Sequence, residues 1–236
     1  MFPEAIINST IFGLGLTVIV YALCEILVDR LRLTIVPPFV LACPIVIAVI
    51  MLAPGVEYKH YAAGAEFINF LLGPATIALA LPLYKNRQTI KANAAAILGG
   101  VTIATVVAIV VVYCSGKFFG ASEQVLLSLL PKSVTTPIAI EVSKTIGGIP
   151  AVTTAAVIVT GMLGATFNHK LLALMGIKND LAAGLAIGAS SHGLGTSVCA
   201  AVSPVQLAIG GVAIALTGIA TSVLTPILLP ILKTIW

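Results

Sequence analysis

The sequence predicts an all-α fold: a polytopic helical membrane protein with about 6–8 membrane segments, several of them broken or re-entrant. Three observations carry this reading. Of the 236 residues, 59% are hydrophobic and only 8% are charged, whereas a soluble domain carries roughly 25% charged residues. The mean hydropathy is +1.16, and several apolar runs reach about 20 residues, the length that crosses a bilayer core. Prolines, glycines and hydroxyl residues interrupt three of these runs. They free backbone groups that the membrane interior tolerates only when buried in protein or lining a wet cavity. A transmembrane barrel would show short segments of alternating polarity instead.

Segment 1 spans residues 5–28 and is followed by the charged turn "DRLR". The first six residues lack a basic region, so the run reads as a retained helix and not as a signal peptide. Segment 2 spans 33–52, with Pro37–Pro38 disturbing its start, and "APGVEYKHY" reads as a loop. Segment 3, residues 65–84, holds Gly73–Pro74 in its middle and ends in a basic loop with Lys85, Arg87 and Lys91. Segment 4 spans 93–114. Segment 5, residues 125–146, carries "LLPKSVTTPIAIEVSK", which ends before "GGIP". Segment 6 spans 151–174, segment 7 spans 181–203 and segment 8 spans 206–232. The chain reads as a single integral membrane domain, residues 1–236. Cys24, Cys43, Cys114 and Cys199 lie scattered inside apolar runs without a CxxC spacing, as expected of small hydrophobes.

The formal charge of +4 comes mostly from loop lysines and arginines. It reports orientation rather than nucleic-acid binding. The basic turns after segments 1 and 3 share a side by parity, which places the N-terminus outside. The third basic cluster, His169 to Lys178, shares that side only if segment 5 makes no net crossing, so segment 5 is expected to be re-entrant, broken at Pro131 and Pro137. "ILGGVTIATVVAI" also resembles "AIGGVAIALTGIA". If the match is more than chance in so small an alphabet, residues 33–114 and 151–232 are repeats in inverted orientation.

Lys132 is the costliest residue in this pattern, at about 3 kcal/mol in hydrocarbon. It stands among Ser133, Thr135 and Thr136. An ammonium, hydroxyl donors and freed helix-end amides suit an anion site. The bland alternative is a lysine that snorkels to an interface, with the hydroxyls capping a helix. A second break is read at "ASSHGLGTS", where Gly193 and Gly195 flank Leu194 and Ser191, His192 and Thr196 supply polar groups. His192 is placed to carry a proton near neutral pH, or to bond a neighbouring helix as a neutral ring. The third break, Gly73–Pro74, has Asn69 and Thr76 beside it. Glu25 and Glu66 read as edge residues, His169 as an interface residue, and Glu141 and Lys144 as a pair at helical spacing. No HExxH, GxSxG or P-loop occurs, so no catalytic residue, metal ligand or cofactor is expected.

At "LLGPATIALALPLY", "LLPKSVTTPIA", "IGGIPA" and "SHGLGT" the chain resembles the LrgB/CidB family across nearly its whole length. This resemblance implies a protein related to the C-terminal half of the plastid glycolate/glycerate translocator. It implies a multi-pass protein of the bacterial inner membrane, working beside a smaller LrgA/CidA-type partner. Two accounts of the family lead to two expectations. One is a secondary transporter of small monocarboxylates such as glycolate, glycerate or pyruvate, with proton or sodium coupling open. The other is a holin/antiholin-like regulator of murein hydrolase export and autolysis. A homo-oligomer is compatible with either. On the first expectation, Lys132 neutralises the carboxylate, Ser133, Thr135, Thr136 and Thr196 bond its oxygens, and His192 bears the coupling proton.

Overall fold

A computed structural model describes residues 7, 9, 11–31, 38–78, 80–85 and 87–235. Among the described residues every regular element is helical. The chain divides into two compact units, Met1–Ala78 and Leu79–Trp236.

The first unit holds α1 (Ile11–Arg30), α2 (Pro38–Leu52) and α3 (Tyr58–Ala78). Helix α1 packs on both others. Val20 and Cys24 bury against Ala42 and Val46. Gly13 is needed for this approach, because a Cβ there would lie 2.0 Å from the Tyr61 carbonyl oxygen. The Thr17 and Tyr61 hydroxyls meet one turn further on, at 3.1 Å. Arg32 and Pro37 lie outside the described residues, and Pro38 opens α2. Two expectations are corrected in this unit. Residues 58–61, read as loop, form the first turn of α3. The helix also runs through Pro74 to Ala78 instead of breaking at Gly73–Pro74. A proline removes one ladder bond, and a membrane helix can absorb that loss.

The second unit contains two short helices, α4 (Ala80–Lys85) and α5 (Arg87–Ala92), then α6 (Ala94–Phe118). They are followed by α7 (Glu123–Leu129), α8 (Thr136–Ile146), α9 (Pro150–Leu174), α10 (Asp180–Ser197), a 3-10 turn (Val198–Ala201) and α11 (Pro204–Ile235). Helices α1, α6, α9 and α11 are long and apolar enough to cross a membrane. Their apolar character extends around the helix. On α6, Ile97, Val101, Thr105, Ile109 and Tyr113 are buried at four-residue spacing, while Ile103, Val107 and Val111 are exposed on the far side. A helix apolar on every side belongs in a membrane or a large core.

Helices α6 and α11 run parallel. Ile109 and Tyr113 cluster with Leu229 and Leu232. At the other end, Gly100 abuts Leu185 while Gly184 abuts Gln206. Gly184 and Gly188 seat α10 directly on α11: added Cβ atoms would lie 2.5 Å from the Gln206 carbonyl oxygen and 2.4 Å from that of Gly210. Small residues one turn apart allow this close membrane-helix packing.

Candidate functional site

Two helical hairpins build the centre of the second unit. The first contains α7, the turn through Leu130–Thr135, and α8. Ser128 Oγ accepts from Ile149 N–H at 2.7 Å across 21 residues, so the end of α8 returns to the level where α7 ends. The expected break is present, with one change. Pro137 does not interrupt a helix but sits in the first turn of α8, where a proline costs no ladder bond.

The second hairpin is α10 with its 3-10 extension. Asp180 and Ser203, at its two ends, are hydrogen-bonded, and Ala183 and Ile187 bury with Cys199. The tip falls midway between the ends, at Ser191 (φ −141°, ψ 20°) and His192 (φ 45°, ψ −148°). His192 is the non-glycine residue at positive φ among the described residues, a conformation that costs on the order of 1–3 kcal/mol. The turn falls inside the break read at 189–197, but Ser191 and His192 make it, not the glycines that follow. Gly195 instead makes room for Ser191, whose Oγ would lie 1.9 Å from an added Cβ.

The two tips meet on α9. Val134 and Ala139 of the first hairpin pack against Val157, and His192 Nε2 donates to the Val157 carbonyl at 2.9 Å. Gly161 and Gly164 let the second tip seat closely: Cβ atoms there would lie 2.7 Å from the His192 ring and 2.2 Å from Ser191 Cβ. Thr196 Oγ1 donates to the His192 carbonyl at 2.7 Å, which ties the return arm to the turn.

Beside the tips lies a cleft of about 350 Å³, lined by Lys132, Thr160, Phe167, Asn168, Ser190 and Ser191 among others. It runs along α9 from Thr160, near the middle of that helix, to Leu171. Asn168 Nδ2 donates to Ser191 Oγ at 2.7 Å, and Ser191 Oγ donates to the Ile187 carbonyl at 2.9 Å. Asn168 keeps a second N–H and its oxygen for a ligand. Lys132 is half-buried, and none of the ion pairs among the described residues includes it. The cleft can therefore hold an anion.

Of the residues singled out in the sequence, Lys132 and Ser191 share this cleft. Ser133 is buried. The Thr135 hydroxyl is buried without a partner among the described residues, and Thr136 opens α8. Gly193 and Thr196 line a different cleft. Asn69 is exposed on α3 in the first unit, and the Thr76 side chain lies outside the described residues. Sequence reasoning missed Thr160 and Asn168. The isolated asparagine inside apolar α9 was the available signal, masked by the nearby His169 and Lys170.

The sequence profile of the LrgB-like family matches residues 17–231. The chain belongs to the LrgB-like family. It is a multi-pass membrane protein of the LrgB/CidB type. No solved structure matches it.

Proposed function

We propose that this LrgB-family protein is a secondary transporter, or the core subunit of one, for small monocarboxylates such as glycolate, glycerate or pyruvate. The observation that carries the reading is Lys132: an ammonium at a hairpin tip, without an ion-pairing carboxylate among the described residues, facing a cleft with Asn168 and Thr160. An unpaired charge at membrane depth is costly, and a substrate carboxylate offsets that cost. The 2-hydroxyl or 2-oxo group would meet the Asn168 amide, with Phe167 against the short carbon chain. Proton or sodium coupling, an LrgA/CidA-type partner and residence in a bacterial inner membrane belong to the same proposal. A holin-like regulator or pore component, the rival function in this family, needs no cationic cleft between helix breaks.

The test uses purified protein. Binding of labelled glycolate and pyruvate is measured first, then uptake into proteoliposomes with and without a pH gradient. A charge-assisted bond accounts for a roughly 10- to 150-fold change in affinity, so Lys132→Gln weakens binding by that factor. Lys132→Arg weakens it as well, because a planar fork does not replace a compact ammonium. Equal affinity in parent and Lys132→Gln would remove the assignment.

A further inference from the structure

The second hairpin has a cleft on each of two faces. Ser190 and Ser191 line the one that holds Lys132. Two residues further along, Gly193, Thr196 and Ser197 line another of about 420 Å³, together with Lys85, Leu81 and Gly211. Each cleft has one lysine. No carboxylate among the described residues forms an ion pair with Lys85. Between the clefts stands the turn at Ser191–His192, the point where the α10 backbone leaves helical geometry.

We propose that the Lys85 cleft is a second anion subsite, and that the hairpin tip is the partition a carboxylate crosses between the two lysines. The inference deepens the transporter reading and rests on it. The tip suits a movable partition. Its turn is made by a residue in strained backbone conformation, and a few side-chain bonds hold it: His192 to Val157, Asn168 to Ser191, and Thr196 back to His192. The wall on the Lys85 side contains Gly193, beside which an added Cβ meets nothing within 4 Å. Gly193 is therefore not required for packing. Its absent side chain leaves the cleft open.

That open space supplies the test. Gly193→Cys is made with the four native cysteines replaced by serine, then modified with thiol reagents of increasing size. The labelled protein is assayed twice, for equilibrium binding of labelled glycolate and for uptake into proteoliposomes. Binding at the Lys132 cleft should stay within about twofold of the unmodified variant, because the plug lies on the other face. Uptake should fall at least about tenfold as the adduct grows, and Lys85→Gln should weaken binding at the second subsite and give a smaller loss of uptake, with affinity at the Lys132 cleft unchanged. Uptake unaffected by the largest adduct overturns the partition. Failure of the unmodified parent to bind glycolate or pyruvate would instead overturn the transporter reading, so the two failures are distinguishable.

Discussion

Ser203 Oγ donates to Asp180 Oδ2 at 2.7 Å across 23 residues of chain. The 18 residues of α10 would extend about 27 Å if straight, so this bond requires the chain to turn back on itself. The Gln206 amide completes the closure. Its nitrogen donates to Asp180 Oδ1 at 2.8 Å, which leaves its oxygen to accept from His169 Nε2 at 3.0 Å. Helices α9, α10 and α11 are thus clamped at the mouth of the second hairpin, away from its tip.

Removing the charge from this clamp should open the hairpin mouth. Hydrogen bonds from Gln206 and then Ser203 hold the Asp180 carboxyl below its ordinary value. A lowered carboxyl stabilises the closed form at pH above the ordinary carboxylate range. That contribution is lost as pH falls through the lowered value. Cys199, fully buried against Ala183 and Ile187, is the built-in reporter, with the other three cysteines replaced. In the parent it should resist a pyridyl disulfide from neutral pH down through the ordinary carboxylate range. In Asp180→Asn it should react at neutral pH. Identical rates in the two proteins would show that the clamp does not hold the mouth shut.

The two hairpins should enter from opposite faces of the membrane. In the first, Glu123 lies in the first turn of α7 and Lys144 in the last turn of α8. Lys178 and the exposed Val202 lie at the open end of the second. Helix α9 crosses once between them. Single cysteines at 123 and 144, in a cysteine-free background, should label with an impermeant reagent from one face, and those at 178 and 202 from the other. Labelling of 123 and 144 from opposite faces would make α7 and α8 a crossing.

The membrane class and the broken segments are legible in the sequence, because charge depletion and internal prolines are local signals. Even the Glu141–Lys144 pair is readable from spacing, and it forms at 2.7 Å. The closure of α10 is not readable. Both of its arms are apolar, so hydropathy makes them one span, and the reversal shows in the bonds of Asp180 to Ser203 and Gln206 and in the packing of Ala183 and Ile187 on Cys199. The glycines mislead for a related reason. Glycine serves turns and close approach equally, and here Gly161, Gly164 and Gly195 give space to the tip while His192 makes the turn. Asn168 and Thr160 enter the site through α9, far in sequence from either hairpin tip.

Gly195 and Gly193 should therefore differ sharply when substituted. A Cβ at Gly195 meets Ser191 Oγ at 1.9 Å and Ser191 Cβ at 2.5 Å. Ser191 cannot yield without losing the bonds to Asn168 and Ile187. Overpacking of this kind costs about 1–3 kcal/mol. Gly195→Ala should lower the melting temperature of the detergent-solubilised protein and abolish glycolate binding, while Gly193→Ala should leave both close to the parent. Equal tolerance at the two positions would contradict the placement of Ser191 against Gly195.

Thr105, Thr217 and Thr225 are buried to 2%, 2% and 0% exposure, and their hydroxyls have no hydrogen-bond partner among the described residues. Other threonines in these helices bond the carbonyl four residues back, as Thr102 does to Leu98 at 2.8 Å. A buried hydroxyl without a partner costs about 1–3 kcal/mol. Valine has nearly the same shape and no polar group to bury. The parallel packing of α6 on α11 places Thr105 one turn before Ile109 and Thr225 one turn before Leu229, at the edge of the apolar cluster those residues share. A dry environment therefore surrounds both. Thr225→Val and Thr105→Val should each raise thermal stability, by an increment equivalent to about 1 kcal/mol, and should leave glycolate affinity unchanged because neither residue lines the Lys132 cleft. Thermal unfolding of the single and double variants in one detergent is the measurement. A loss of stability in either single variant would mean that its hydroxyl has a partner in the folded protein.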